Sequence, residues 1–249
     1  MSAEDAGRGS FAEAWAAVGH VEGWLSEAQA HRLFTRAGAL APGAHVVEIG
    51  SFRGRSAIIL ARGAPIGAEV VAVDPHLGSD RGPQEIAEDR DLGEQDVRTF
   101  RANLEAAGVL DRVRHVRRRS QEALHEAPAV IDLLFVDGAH RFGPARDAVV
   151  GGGARVSPGG RMLVHDAFSS VGVTLALLSR VTFAAGWRYV GRDGSLAEFV
   201  RAPRSARSVV LQLAALPYFA RNLVVKALIV AGLGRAARAL GHRDGPWPY

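Results

Sequence analysis

Cysteine is absent from this sequence, so disulfides, thiolate metal sites and a cysteine nucleophile are all excluded. The first residues, MSAEDAGRGSFAEAW, hold no basic segment followed by an apolar stretch. No secretory signal is expected, and a cytoplasmic location is the default. A run of ~20 uninterrupted apolar residues, which a transmembrane helix needs, is also missing, because Pro217, Arg221 and Lys226 break the most apolar region. Acids are missing from the stretch Arg201 to Arg243, which carries eight basic residues: Arg201, Arg204, Arg207, Arg221, Lys226, Arg235, Arg238 and Arg243. The formal net charge is +4, so setting these eight aside leaves the rest of the chain at −4. A slightly acidic body argues against a nucleic-acid substrate.

What is present suffices for one core. A chain of 249 residues that is 48% hydrophobic fits one domain plus extensions. Its most informative run is His45-Val46-Val47-Glu48-Ile49-Gly50-Ser51-Phe52-Arg53-Gly54-Arg55-Ser56, answered downstream by Val70-Val71-Ala72-Val73-Asp74. An apolar strand ending in a glycine turn that opens a helix, followed by a second strand ending in an acid, is how a doubly wound sheet builds a nucleoside site. The turn lacks the G-x-G pair of a pyrophosphate site and the Lys-Ser/Thr of a phosphate loop. Glu48 beside it would repel a pyrophosphate and attract a sulfonium or ammonium group, while Asp74 is placed to accept hydrogen bonds from ribose hydroxyls.

Around this motif the elements alternate. Strands are expected at 45–50, 70–74, 113–117, 130–136, 161–165, 187–191 and 196–201. Helices are expected at about 11–18, 26–39, 55–63, 83–107, 120–126, 143–151 and 170–185. The pair WRYVG and SLAEFV, joined by Arg192-Asp193-Gly194, reads as a hairpin. Residues 1–42 form a helical cap, 43–202 the nucleoside-binding domain, and 203–249 a basic helical tail. The polar segment Pro75 to Gln95 either covers a substrate or is a solvated insertion.

Two further groups carry chemistry. Asp137-Gly138-Ala139-His140 follows the 130–136 strand, and His165-Asp166 ends the next one. Adjacent parallel strands end at one sheet edge, so Asp137 and Asp166 can converge. Two carboxylates there suit a hard divalent ion that lowers the pKa of a bound hydroxyl. His140 is either a general base or a loop histidine that orients the following helix.

The stretches VEIGSFRGRS, VAVDPH, DLLFVDGAH and GGRMLVHD resemble the class I S-adenosylmethionine-dependent methyltransferases, in particular the metal-assisted small-molecule and sugar O-methyltransferases. The resemblance spans roughly Gly23 to Arg201. It implies an α/β fold: a doubly wound, mostly parallel seven-stranded sheet with a reversed last strand, a Rossmann-like methyltransferase fold. It also implies S-adenosyl-L-methionine as cofactor, held by Glu48, Gly50, Ser51, Gly54, Ser56, Asp74, Ser120 and Asp137. Asp137, His165 and Asp166 fall at the metal positions for Mg2+ or Mn2+. His165 stands where the family has an acid or amide; this departure either weakens the Mg2+ assignment and allows a softer ion such as Mn2+, or leaves His165 pointing into the sheet with Asp166 the only ligand from the pair. His140 matches the general base. The acceptor implied is a small hydroxylated molecule, natural-product or sugar-like. A metal-independent methyltransferase and a non-catalytic cofactor-binding or membrane-associated protein are the alternatives.

For the tail two fates are open. It packs on the body or a second subunit, burying Val209, Leu213, Leu216, Phe219, Leu223, Leu228 and Val230, or it lies peripherally on the inner face of an anionic membrane. Packing is the expectation.

Overall fold

The computed structural model of the chain describes residues 9–79, 87–123 and 125–242. Seven strands form one sheet: β1 (His45–Ile49), β2 (Glu69–Val73), β3 (Val113–Val116), β4 (Ile131–Val136), β5 (Val156–Val164), β6 (Trp187–Asp193) and β7 (Leu196–Arg201). Their order is β3-β2-β1-β4-β5-β7-β6, and β7 alone runs antiparallel to its neighbours. This is the doubly wound sheet with a reversed last strand that the sequence predicts. The helices are α1 (Phe11–Ala17), α2 (Glu27–Gly38), α3 (Arg55–Gly63), α4 (Arg90–Ala106), α5 (Ser120–Ala123), α6 (Phe142–Gly153), α7 (Val171–Arg180), α8 (Ala206–Leu213), α9 (Leu216–Val230) and α10 (Gly234–Ala239).

The two-residue period of the strands sorts their side chains into two cores. On one face Val46, Val70, Leu133, Phe135 and Leu163 pack with Ala30 and Leu33 of α2, Ile58 and Ile59 of α3, and Phe100 and Leu104 of α4. On the other, Val47, Ile49, Val71, Leu134 and Val164 pack with Val149 of α6 and Leu177 of α7. The N-terminal helices thus share a core with the sheet. Ser26 and Gln29 form the expected capping box at the start of α2.

Three boundaries depart from expectation. Strand β5 begins at Val156 rather than 161, because Val156 pairs with Ile131 before the register slips ahead of Leu133 and Arg161. Helix α4 begins at Arg90 because the Asp89 carboxylate accepts from the Asp91 and Leu92 amides and caps it there. Of the earlier start expected for it, residues 83–86 lie outside the described residues. Helix α7 stops at Arg180, and the Thr182 hydroxyl then donates to the Leu177 carbonyl at 3.1 Å.

A buried acid fastens the cap to the far side of the sheet. Glu198 of β7, with no side-chain exposure, pairs with Arg32 (2.5 Å) and Arg36 (2.7 Å) of α2 and with Arg161 of β5. Arg32 also pairs with Asp193 at 2.5 Å.

Candidate active site

A cleft of about 250 Å³ opens at the carboxyl ends of β1, β2 and β4, where open α/β sheets take ligands. Its floor is the turn after β1. Gly50 has φ +89°, and a Cβ on it would lie 2.3 Å from the Asp137 carbonyl oxygen. Only glycine lets the ends of β1 and β4 approach this closely.

Asp74 has a task the sequence did not show. Its Oδ2 accepts from the Ser51 and Phe52 amides at 2.9 and 2.8 Å, and its Oδ1 from the His76 amide at 2.7 Å. The carboxylate lines the cleft, as a ribose acceptor must, yet it also holds the glycine turn in shape. Three non-glycine residues with positive φ, Phe52 (42°), His76 (46°) and Asp166 (55°), all stand at this edge of the sheet. Left-handed backbone is costly for such residues and gathers at functional sites.

Glu48 lies beneath the turn. It is completely buried, and neither carboxylate oxygen has a hydrogen bond of ordinary geometry, although the Ser56 hydroxyl stands near. Burial pushes its pKa up to about 8; the Ser56 hydroxyl works against this, and the charges of Asp137 and Asp74 add to it. A buried orphan acid costs stability unless something cationic completes it.

At the opposite wall the strand-end acids meet. His140 Nε2 lies 2.7 Å from Asp166 Oδ2, and His165 Nδ1 lies 3.0 Å from Asp137 Oδ1 and 3.6 Å from Asp166 Oδ2. Ser169 Oγ donates to Asp166 Oδ1 at 2.9 Å. Burial alone would favour neutral forms, but the opposed charges outweigh it. Asp166 is held well below the usual carboxylate range, and His165 well above the usual imidazole value. His140 is raised too, because its bond to Asp166 outweighs burial.

His165 also meets a residue that sequence reasoning missed. Gln29 Oε1 accepts from the Ser26 amide (2.8 Å), and Gln29 Nε2 donates to the Asp193 carbonyl and the Ser195 hydroxyl (3.4 and 3.2 Å). The amide orientation is thereby fixed, so His165 Nε2 at 3.3 Å must be a donor to Oε1. The Asp137 and Asp166 carboxylates beside Nδ1, though not in hydrogen-bond geometry, hold the ring's pKa up. His165, expected among the ligands, lies outside the set whose ligand atoms converge. Ligand atoms of Asp137, His140 and Asp166 do lie within 4.8 Å of one another, so the residues that could hold a cation include His140 instead. The only sequence signal for Gln29 was its place in the capping box, which says nothing of the long-range contact.

The remaining expected residues fall around the same edge. Ser51, Ser56 and Ser120 line the cleft, and Gly54 opens α3 just behind it. Trp24, Leu25 and Leu77 add an apolar wall. Of the polar segment 75–95, Pro75, Leu77, Ser79 and Glu88 reach the cleft, while 80–86 lie outside the described residues. His76 is buried between the Phe52 carbonyl (2.7 Å) and His115 (3.2 Å).

Residues 47–167 match the family model described as a methyltransferase domain. No curated protein matches the sequence. Among solved structures, cofactor-bound Rv0187 from MTB is similar at 23% identity and TM-score 0.55, over 77% of this chain and 89% of that one. The O-methyltransferase NovP is similar at 21% identity and TM-score 0.56, over 72% and 83%. The S-adenosylhomocysteine-bound methyltransferase PaMTH1 of Podospora anserina is similar at 18% identity and TM-score 0.56, over 77% and 87%. At these identities the likeness is one of fold. Residues 47–167 thus match a methyltransferase domain, and the fold is the one these methyltransferase structures share.

Proposed function

We propose that this protein methylates a hydroxyl oxygen of a small acceptor, natural-product or sugar-like, with His140 as the general base. The observation that carries the proposal is the His140–Asp166 pair, 2.7 Å apart, at the cleft wall formed by the strand next to the glycine turn. The cofactor pocket fits its ligand on two counts. Glu48 is a buried orphan acid suited to an ammonium or sulfonium, and Gly50 leaves a cradle that any side chain would fill.

When bound, S-adenosylmethionine supplies a methyl group already activated on sulfonium sulfur, so the protein must place the acceptor in line and take its proton. Asp166 accepts the Nε2 proton of neutral His140, which fixes the tautomer and leaves the Nδ1 lone pair for the hydroxyl proton. The fixed negative charge of Asp166 stabilises the imidazolium that results. His165 lies between Asp137 and Asp166, and the positive charge it can carry favours the ionised form of buried Asp166. Trp24, Leu25 and Leu77 offer apolar contacts to an acceptor. The O-methyltransferase NovP, similar in fold, supports oxygen as the accepting atom.

A second reading rests on the clustering of Asp137, His140 and Asp166. These residues would hold a divalent cation, which supplies Lewis acidity toward a bound hydroxyl, and the mixed imidazole and carboxylate set suits Mn2+ better than Mg2+. His140 then serves as ligand rather than base.

Calorimetry with S-adenosylmethionine, together with turnover of His140→Ala, tests the proposal. We expect cofactor affinity to stay within about twofold and turnover to fall by roughly 10²–10⁴. Full turnover in His140→Ala rejects the base, no heat of binding rejects the cofactor site, and loss of activity on chelation selects the metal reading.

A further inference from the structure

Helix α9 is built inside out. All of its exposed residues are apolar: Pro217, Ala220, Leu223, Val224, Ala227 and Val230. Its polar residues turn toward the protein instead. Asn222 Nδ2 donates to the Phe168 carbonyl at 2.9 Å, Lys226 Nζ to the Ser169 carbonyl at 2.8 Å, and Arg221 Nε to the Leu240 carbonyl at 2.8 Å. A helix on the surface of a protein that meets only water has the opposite pattern. The apolar strip runs on into α8, where Val210 is 65% exposed, and past α9 to Leu233, 53% exposed. Scattered apolar residues are ordinary on a surface, whereas a continuous strip marks a contact. The packing expected from sequence is only partly realised: Leu216 and Phe219 are partly buried against the core, while Leu223 and Val230, expected inside, face out.

We infer that this face of α8 and α9 lies on an anionic lipid surface. Charge selects that occupant. Arg207 of α8 and Arg235 and Arg238 of α10, which flank α9, are exposed, and no acid occurs between Ala202 and His242 to offset them. A second copy of the chain docking by a two-fold contact would bring this basic, acid-free segment against itself. An anionic bilayer meets both needs at once, apolar burial and positive charge.

The geometry also sets how the segment lies. Ala206–Val230 is 25 residues long, long and apolar enough to cross a bilayer by composition; its most apolar 18-residue window has a mean hydropathy of 1.5, and only 17% of that window is buried. The chain turns at Ala214 and Ala215, however, and Asn222 and Lys226 fasten α9 to the loop that follows Asp166. Crossing would strip these polar groups from their partners. The helices therefore lie along the interface, with the methyltransferase body on the water side.

Flotation of the full chain with vesicles tests this, using pure phosphatidylcholine against phosphatidylcholine mixed with phosphatidylglycerol. The comparison variants are Val210→Asp and Val224→Asp, both at exposed positions, with circular dichroism to confirm the fold. The expected result is at least roughly tenfold more protein floating with the anionic vesicles, release by high salt, and loss of flotation in both variants. No flotation, or equal flotation of the folded variants, overturns the inference. So does bound protein that resists both high salt and alkaline extraction, which indicates a span. A lipid-free dimer in sedimentation velocity that the same variants dissociate overturns it in favour of a second copy.

Discussion

Glu48 shows how much one residue can ask of its surroundings. It is an acid with no exposure and no hydrogen bond of ordinary geometry, and burial lifts its pKa from 4.5 to about 8. The sign of the consequence follows from proton counting. Between pH 4.5 and about 8 the unfolded chain gives up this proton while the folded chain keeps it. Its contribution is therefore fully present below pH 4.5 and is lost as pH rises toward 8. From pH 5 to 7, folding stability should fall by about 2–3 kcal/mol more in the wild type than in Glu48→Gln. Urea melts at the two pH values measure the difference, and parallel pH dependence would show that burial does not raise this group. The same variant should bind S-adenosylmethionine at least roughly tenfold more weakly, since an amide cannot supply the charge a cation needs. Glu48, Gly50 and Asp74 were legible in the sequence because a turn between strand and helix leaves a local signature. The double duty of Asp74 was not, because its amide partners come from a different strand end.

At the scale of elements, the position of His140 depends on the start of α7. The Ser170 hydroxyl donates to the His140 carbonyl at 3.2 Å, and a Cβ on Gly172 would stand 2.2 Å from the same oxygen. Gly172→Ala should thus push the loop between β4 and α6 away from Asp166. We expect turnover to drop at least roughly tenfold, stability to fall by about 1–3 kcal/mol as for other overpacked sites, and cofactor affinity to hold, since Glu48 and Gly50 are untouched. Steady-state kinetics beside calorimetry will separate these effects; a parallel loss of affinity would contradict the assignment. Strands were the easiest elements to read, because short apolar runs such as Ile131 to Val136, broken only by Asp132, suit a strand covered on both faces. Helix ends were harder. The Asp89 cap and the Thr182 turn depend on side-chain bonds that compete locally with equally plausible alternatives.

For the whole molecule, the cap and the sheet are joined through charge in the interior. Glu198 has three arginine partners from two other elements. Glu198→Ala would leave Arg32, Arg36 and Arg161 facing one another, and removal of one member from a buried ion network costs about 3–5 kcal/mol. Denaturant unfolding should show a loss in that range, with Glu198→Gln in between. An effect under ~1 kcal/mol would mean that these pairs behave like surface pairs. The same helix, α2, carries Gln29 to His165, so the cap that Glu198 fastens is also what completes the active-site charge network.

The sequence by itself determined the alternating strands and helices, the terminal hairpin, the glycine turn and the two acids at neighbouring strand ends, because each depends on spacing within one segment or on the edge rule for parallel strands; the reversed last strand came with the family resemblance. Only the tertiary structure decided that His165 is buried against Asp137 and Asp166, that Gln29 reaches it from the N-terminal helix, and that α9 wears its apolar side outward. Those depend on which side chains meet across distant segments, and periodicity reveals that a helix has two faces without revealing which one the protein covers.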